Sequence, residues 1–533
     1  MKTEEFPADP ALVRSLIAQC KKFRQEPGDR QSCIYVNLSM VRLQIAWVMP
    51  KLLYAAGLAE RTGCRVYVIT WRENALFKEL VESFGFSHLV LENMDRRHLG
   101  CAVKAALRTV GFQLFDGSGE GMKRLKYCDI PAGRFLYEDI LRTSELSTIR
   151  SARSMLCTKK MTHILWMCGA LECKLETDTP AYVIADDVAY HEAMMLSLFH
   201  RYDAQVRNVS AKFEEKLSFS SDGTVIRRHR MWRRMIHALL KEGKGDPAEA
   251  EELLNAQFEG RSGRTLDRGA FLNKQELGRD ELIAQLGLDP AKKNVLIMAH
   301  TFTDAVYSFG SLYFRDYYDW LDKTLAIAEE VPEVNWILKA HPTRGAYHES
   351  ADSVEDMFAR HKKDHIFMLP DEVSPKSLRD LADVLLTVGG NAGAEYACYG
   401  VTPVIAGKPY YCGFGYTVEP ADIEAYETQL RRIAELEPLN EAQRRMAKRV
   451  YALKRAVTVK NGRFEDEFAQ LLGGMYGEML GEMSISYFES NRGTKSYNDE
   501  IIRKVTEYFA AHDMKQCEYW RRGYALGEKD TDE

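Results

Sequence analysis

The stretch from Asp383 to Gly415, DVLLTVGGNAGAEYACYGVTPVIAGKPYYCGFG, constrains the fold of this chain more than any other. Val384-Leu385-Leu386-Thr387-Val388 is a short apolar run bounded by glycine, which is how a parallel strand buried on both faces reads. Gly389-Gly390-Asn391 predicts a turn, and Ala392 to Tyr399 a short helix that Gly400 stops. A second strand, Thr402 to Ala406, ends in Gly407-Lys408-Pro409. Strand, glycine turn, helix and strand make one βαβ unit, and such a turn aims free backbone N–H groups at an anion. GGNAG has neither the G-x-G-x-x-G spacing of the dinucleotide fingerprint nor the Walker lysine. Two readings follow. The turn is a seat for phosphate or pyrophosphate, with Glu395 accepting hydrogen bonds from ribose hydroxyls, or it is a tight turn with Glu395 as a solvated charge favoured by the helix dipole.

A chain of 533 residues exceeds what one hydrophobic core serves, so two or more domains are expected. Its 72 Lys and Arg against 77 Asp and Glu give a net charge of -5, which argues against a general nucleic-acid binder. No run of about 18 uncharged apolar residues predicts a transmembrane helix. The opening MKTEEFPADP has no apolar core and does not read as a signal peptide. The eleven cysteines form no C-x-x-C pair, and Cys168 and Cys173 lack partners at zinc-finger spacing. Free, mostly buried thiols in a reducing cytoplasm are expected, without a structural zinc.

Strand-like and helix-like segments alternate along most of the chain. Cys33–Leu38, Cys64–Thr70, Ser87–Leu91, Ala181–Ile184 and Ala204–Val209 read as strands, with a helix over 41–60 between the first two. Phe112 to Phe115 precedes a glycine-rich loop, Asp116 to Gly121, and Ile130 to Arg142 is a turn leading into a helix. A second series has strands at Asn294–His300, Val334–Ala340 and Ile366–Leu369, a helix over 313–330, and then the opening βαβ unit. Alternation of this kind predicts an α/β fold with two Rossmann-like domains. The expected boundaries are 1–210 for the first, 211–278 for a charged helical insertion, 279–465 for the second and 466–533 for C-terminal helices.

In an open α/β sheet, ligands sit outside the carboxyl ends of the strands. In the second series those ends carry His300-Thr301, His341-Pro342 and Gly389-Gly390-Asn391. A histidine there can donate to a phosphate oxygen, and Lys339 can add charge. Taken singly each histidine also suits a surface or capping role. Tyr410, Tyr411, Phe414 and Tyr416 follow the second strand, where they can stack on a base or sugar or simply pack beneath a loop.

The segments ILKAHP (337–342) and TVGGNAGAEYACYGVTPVIAGKPYY (387–411), with Pro370-Asp371 between them, resemble the C-terminal half of bacterial capsule and surface-polysaccharide glycosyltransferases. These are similar in turn to polysialyltransferases and Kdo transferases of the GT-B fold. Upstream, AGRFLYEDILR (132–142) resembles the family's Gly-Asp-x-x-Tyr-Asp-x-x-x-Arg stretch, and 186–206 resembles the segment before a helix lining the acceptor cleft. The chain departs from the family at Gly390-Asn391, where Asn-Ser or Ser-Ser is frequent, and at Gly133-Arg134, where the family has Gly-Asp.

The resemblance implies two Rossmann-like domains facing a cleft and transfer of a sugar from a nucleotide-activated donor to a surface-glycan or lipid-linked acceptor. It implies donor phosphate held by His341-Pro342, by the amides after Gly389 and Gly390 with Asn391, and by His300, and ribose held by Glu395. A base from the first half must deprotonate the acceptor hydroxyl. Asp187 is the first candidate, with Asp186, His191 and Asp116 in reserve, while Asp186-Asp187 also reads as a helix N-cap pair. Fixed amide and imidazole donors can stabilise the departing phosphate, so neither metal nor cofactor is expected. The one D-x-D match, Asp530-Thr531-Asp532, lies in the tail. The chain has no span of its own, so a lipid-linked acceptor would entail peripheral membrane contact. Three other readings share the fold: a sugar-nucleotide 2-epimerase-like enzyme, a non-catalytic nucleotide-binding subunit of a glycan assembly system, and a polyol-phosphate transferase.

Overall fold

The computed structural model describes residues 8–26, 32–39, 44–94, 99–185, 188–226, 228–261, 271, 274–308, 312–342, 352–459, 463–475 and 491–528. The chain divides into two compact units. The first comprises Met1–Leu136, Ser151–Ile226 and Asn461–Glu533, and the second Tyr137–Arg150 and Arg227–Lys460.

The first unit is built on six strands: β1 (Cys33–Asn37), β2 (Arg65–Thr70), β3 (Ser87–Val90), β4 (Pro180–Ala185), β5 (Gln205–Val209) and β6 (Glu214–Lys216). Their order is β3-β2-β1-β4-β5-β6, parallel throughout except for β6. Strand side chains alternate between two cores. Ile34, Val36, Val66, Val68 and Ile184 enter one, and Cys33, Tyr35, Ile69, Val183 and Val206 the other. The first of these cores also takes Ile501, Ile502, Val505 and Phe509 from the helix Asn491–Ala511, and Tyr519 and Leu526 from the helix Glu518–Glu528. Glu518–Glu528 lies against the helix Ile45–Thr62 so closely that a β-carbon added at Gly523 would stand 2.0 Å from the Tyr54 carbonyl oxygen. One added at Gly57 would stand 2.1 Å from that of Trp520. Only glycine permits this crossing.

The second unit holds β7 (Asn294–Met298), β8 (Asn335–Lys339), β9 (Ile366–Met368), β10 (Val384–Thr387) and β11 (Thr402–Ile405). They form an all-parallel sheet in the order β11-β10-β7-β8-β9. Counted within each unit, both sheets place the fourth strand beside the first, which is the doubly wound Rossmann order. The α/β class with two Rossmann-like units, expected from the sequence, is therefore what the chain forms.

The boundaries differ from those expected. Helices Arg228–Lys241 and Pro247–Phe258 are not a separate insertion: Ile236, Ala250, Leu254 and Phe258 share one core with Leu296, Leu385 and Ile405 of the second sheet. Residues 211–226 stay with the first unit, and 463–475 and the C-terminal helices complete it. The segment Tyr137–Arg150 belongs to the second unit. Its Tyr137 hydroxyl donates to buried Asp316, and its buried Glu138 accepts from the Tyr307 N–H at 3.0 Å and from the Ser308 hydroxyl. Periodicity marks a helix face as apolar without saying which core receives it, so these attachments are invisible in the sequence.

Candidate functional site

In the second unit the winding direction reverses between β7 and β10, and a crevice opens at such a switch point outside the carboxyl ends of the strands. The turn after β10 is built around His300, which follows β7. The His300 ring stacks on Tyr317 with centroids 4.5 Å apart and meets Trp320 edge-on at 5.9 Å. Its Nε2 accepts the Val388 N–H at 3.3 Å and lies 3.1 Å from the Thr387 hydroxyl, which in turn accepts the Gly390 N–H at 3.1 Å. Accepting a backbone N–H at Nε2 leaves the ring proton of a neutral imidazole on Nδ1. Burial first, and then neighbouring His341, push the His300 pKa down to about 3. His300 is thus a neutral clamp on the turn with its Nδ1–H left as a donor. His341, half-buried after β8, lies close enough for its charge to be felt there, and Pro342 follows it.

The turn is held from its other side as well. The Tyr411 hydroxyl donates to the Gly390 carbonyl at 2.7 Å, and a β-carbon on Gly393 would stand 2.3 Å from that hydroxyl oxygen. Gly389 borders Pro409, so the Gly407-Lys408-Pro409 exit of β11 lines the same turn, and Lys408 is exposed. Asn391 precedes the helix Ala392–Ala397, and its side-chain oxygen accepts from Lys454 Nζ at 2.9 Å. That ammonium also sits 4.8 Å over the ring of Tyr410. Lys454, on the helix Glu441–Val459, is a cation at the turn that sequence reasoning missed, since 63 residues separate it from Asn391. An amphipathic pattern in that helix gives no sign of it.

Glu395 is buried rather than solvated: its Oε1 accepts from Gln257 Nε2 at 2.6 Å, and Tyr451 donates to Gln257 Oε1 at 2.8 Å. Lys339 is also buried. Tyr410, Tyr411 and Tyr416 are fully buried, with phenol pKa values pushed well above the usual range by that burial, so they pack beneath the turn and do not offer a face for stacking. Phe414 stacks on His237 with centroids 4.2 Å apart.

In the first unit, two of the four residues proposed for proton abstraction fall among the described residues. Asp186 and Asp187 lie outside the described residues. His191 is buried in the first turn of the helix Tyr190–His200, its ring 4.8 Å from that of Trp71. Asp116 follows the helix Leu99–Phe115 and shapes a turn. It accepts from the Ser118 N–H at 3.2 Å, the Ser118 hydroxyl at 2.5 Å and Arg124 Nη2 at 2.7 Å. The Ser118 hydrogen bonds, then Arg124, hold its pKa below the ordinary carboxylate value, which makes it a weaker proton acceptor. Asp530 and Asp532 also lie outside the described residues. Among the described residues, no group of three or more His, Cys, Asp or Glu is arranged to hold a metal ion.

No family model and no curated protein matches the chain. Solved structures do. The chain is similar to the KpsC beta Kdo 2,4 transferase of Thermosulfurimonas dismutans at 15% identity, covering 56% of this chain and 88% of that one with a TM-score of 0.31. It is similar to Anabaena Alr3699/HepE in complex with UDP at 12% identity, covering 85% and 100% with a TM-score of 0.25. It is also similar to the Methanocaldococcus jannaschii UDP-GlcNAc 2-epimerase in complex with UDP-GlcNAc and UDP, at 12% identity, covering 80% and 98% with a TM-score of 0.26.

Proposed function

We propose that the chain is a GT-B glycosyltransferase that binds a nucleotide-activated sugar on its second unit and transfers the sugar to a surface-glycan or lipid-linked acceptor. One observation carries this reading: the β7, β8 and β10 ends bring His300, His341 and the Gly389-Gly390-Asn391 turn to the switch point of a Rossmann-order sheet. With the Val388 and Gly390 N–H groups bonded inside the turn, the other backbone N–H groups of this glycine turn can approach a diphosphate, and the neutral His300 ring can donate from Nδ1 to a phosphate oxygen. Lys454 and Lys408 add positive charge where the leaving nucleotide gathers negative charge. Glu395, fixed by Gln257, accepts from ribose hydroxyls. The base for the acceptor hydroxyl is assigned to Asp187 after β4, with Asp186 beside it.

The test is calorimetry of wild type and His341→Ala with a panel of nucleotides and nucleotide sugars. One nucleotide should bind selectively and lose about tenfold or more in affinity in the variant, as expected for removing a hydrogen bond to a charged group. The selected sugar nucleotide is then incubated with and without acceptor. Acceptor-dependent release of the nucleotide supports transfer, and isomerised sugar nucleotide without acceptor marks an epimerase instead. If no nucleotide binds at millimolar concentration, the reading fails.

A further inference from the structure

The helix Leu99–Phe115, LGCAVKAALRTVGFQLF, carries its apolar residues on the wrong side for a core. Ala105 and Thr109 are buried, and the helix packs against the helix Met155–Thr177. Leu99, Val103, Leu107, Val110 and Leu114 are spaced four, four, three and four residues apart, so they fall on one narrow stripe. All five are exposed, Leu107 by 68% and Leu114 by 74%. Phe115 at the end of the helix is 94% exposed, and Met155 at the start of the helix Met155–Thr177 is 83% exposed. A contiguous stripe of large aliphatic residues about 22 Å long at 1.5 Å per residue is not ordinary surface.

The charge around the stripe says what covers it. Residues 99–126 and 151–160 contain eight Lys and Arg against two acids, in a chain whose net charge is -5. Both acids are already paired, Glu120 with Lys123 at 2.7 Å and Asp116 with Arg124 at 2.7 Å. The helix itself has no acidic residue and carries Lys104 and Arg108 beside the stripe. A second copy of the chain would bring this cationic rim against itself. An anionic surface with an apolar interior complements both features.

We infer that the helix Leu99–Phe115 lies in the plane of an anionic lipid bilayer, with Leu99, Val103, Leu107, Val110 and Leu114 in the acyl boundary and the flanking Lys and Arg on the headgroups. Among the described residues no helix is long and apolar enough to cross a membrane, which fits contact with one face only. This surface is on the first unit and does not depend on the nucleotide site of the second.

Vesicle co-sedimentation of the full chain tests it, with phosphatidylcholine vesicles prepared with and without phosphatidylglycerol. Wild type should bind the anionic vesicles about tenfold or more tightly than the neutral ones, and salt should weaken the binding. Leu107→Asp/Leu114→Asp should lose about tenfold or more in binding with an unchanged melting point, because both side chains are exposed. Lys104→Glu/Lys159→Glu should bind anionic and neutral vesicles alike. The inference is overturned if wild type ignores anionic vesicles, or if the Asp variant binds as wild type does. It is also overturned if sedimentation finds a dimer in solution that the Asp variant dissociates, since the stripe would then belong to a second copy.

Discussion

The two units share a strand order and differ in what they place at the point where it reverses. In the second, the ends of β7 and β10 meet as a neutral imidazole and a glycine turn, with the imidazole accepting the Val388 N–H. In the first, the described residues that follow β1 are packed inward. Asn37 and Ser39 are buried, with Met195 Sδ 3.9 Å from the Asn37 side-chain nitrogen and 3.7 Å from the Ser39 hydroxyl, and the helix after β4 begins with Tyr190 and His191 packed inside. The same strand order therefore carries different residues at its turning point. In the second unit the difference lies in the glycines of the turn and in the neighbours that hold it, His300 on the Val388 N–H and Tyr411 on the Gly390 carbonyl.

Substitutions that act on one unit and spare the other are the sharpest way to press this difference. The largest effect is expected at Gly523→Ala, where the new methyl meets the Tyr54 backbone and neither helix can yield without separating. A cost of about 3 kcal/mol should appear in urea unfolding of the first unit, with nucleotide affinity on the second unit unchanged below the transition. Were both units to lose stability together, they would not be energetically separable.

Gly393→Ala should act on the other side of the comparison, at about 1–2 kcal/mol, by pushing the Tyr411 hydroxyl off the Gly390 carbonyl. Nucleotide affinity should fall, and adding Tyr411→Phe should restore part of the stability by removing the nearest of the clashing atoms. No rescue would mean that the turn's shape is not set by that contact.

The smallest effect is on pH dependence, and it is shared. His300 is held down to about 3 and His88, beside the Thr70 hydroxyl, to about 4, in both cases chiefly by burial. An unfolded histidine takes up a proton near pH 6.5, so the unfolded chain binds more protons below that point. The stability tied to each neutral ring is complete above about pH 6.5 and is lost as pH falls toward the folded value. His300→Gln and His88→Gln should each flatten the acid loss of melting temperature between about pH 7 and about pH 4, one in each unit. An unchanged slope in both variants would show that other groups govern acid sensitivity.

The sequence carries the local devices well. Strands β7, β8 and β10, the glycine turn and the helix after it can all be found because each is written within ten or so residues by apolar runs and glycine. Long-range choices are not written that way. Tyr410, Tyr411 and Tyr416 look like stacking platforms in a linear motif, yet they are the floor of the turn, since the helices that bury them come from 228–241 and 441–459. Lys454 is silent for the same reason, and Glu395 looks solvated until Gln257 is brought to it. The stripe on Leu99–Phe115 is amphipathic in sequence whether it faces a core or solvent, and only its exposure distinguishes the two.

The division of the chain has a consequence for how the protein is made. The five strands of the second unit lie between residues 294 and 405, whereas the first unit needs the helices Asn491–Ala511 and Glu518–Glu528 to cover one face of its sheet. At about 5–20 residues per second, the ribosome completes the second unit several seconds before those helices emerge. During that interval the nascent chain carries a finished α/β unit and a half-open one, whose apolar face, including Leu52, Leu53 and Val68, still waits for its cover.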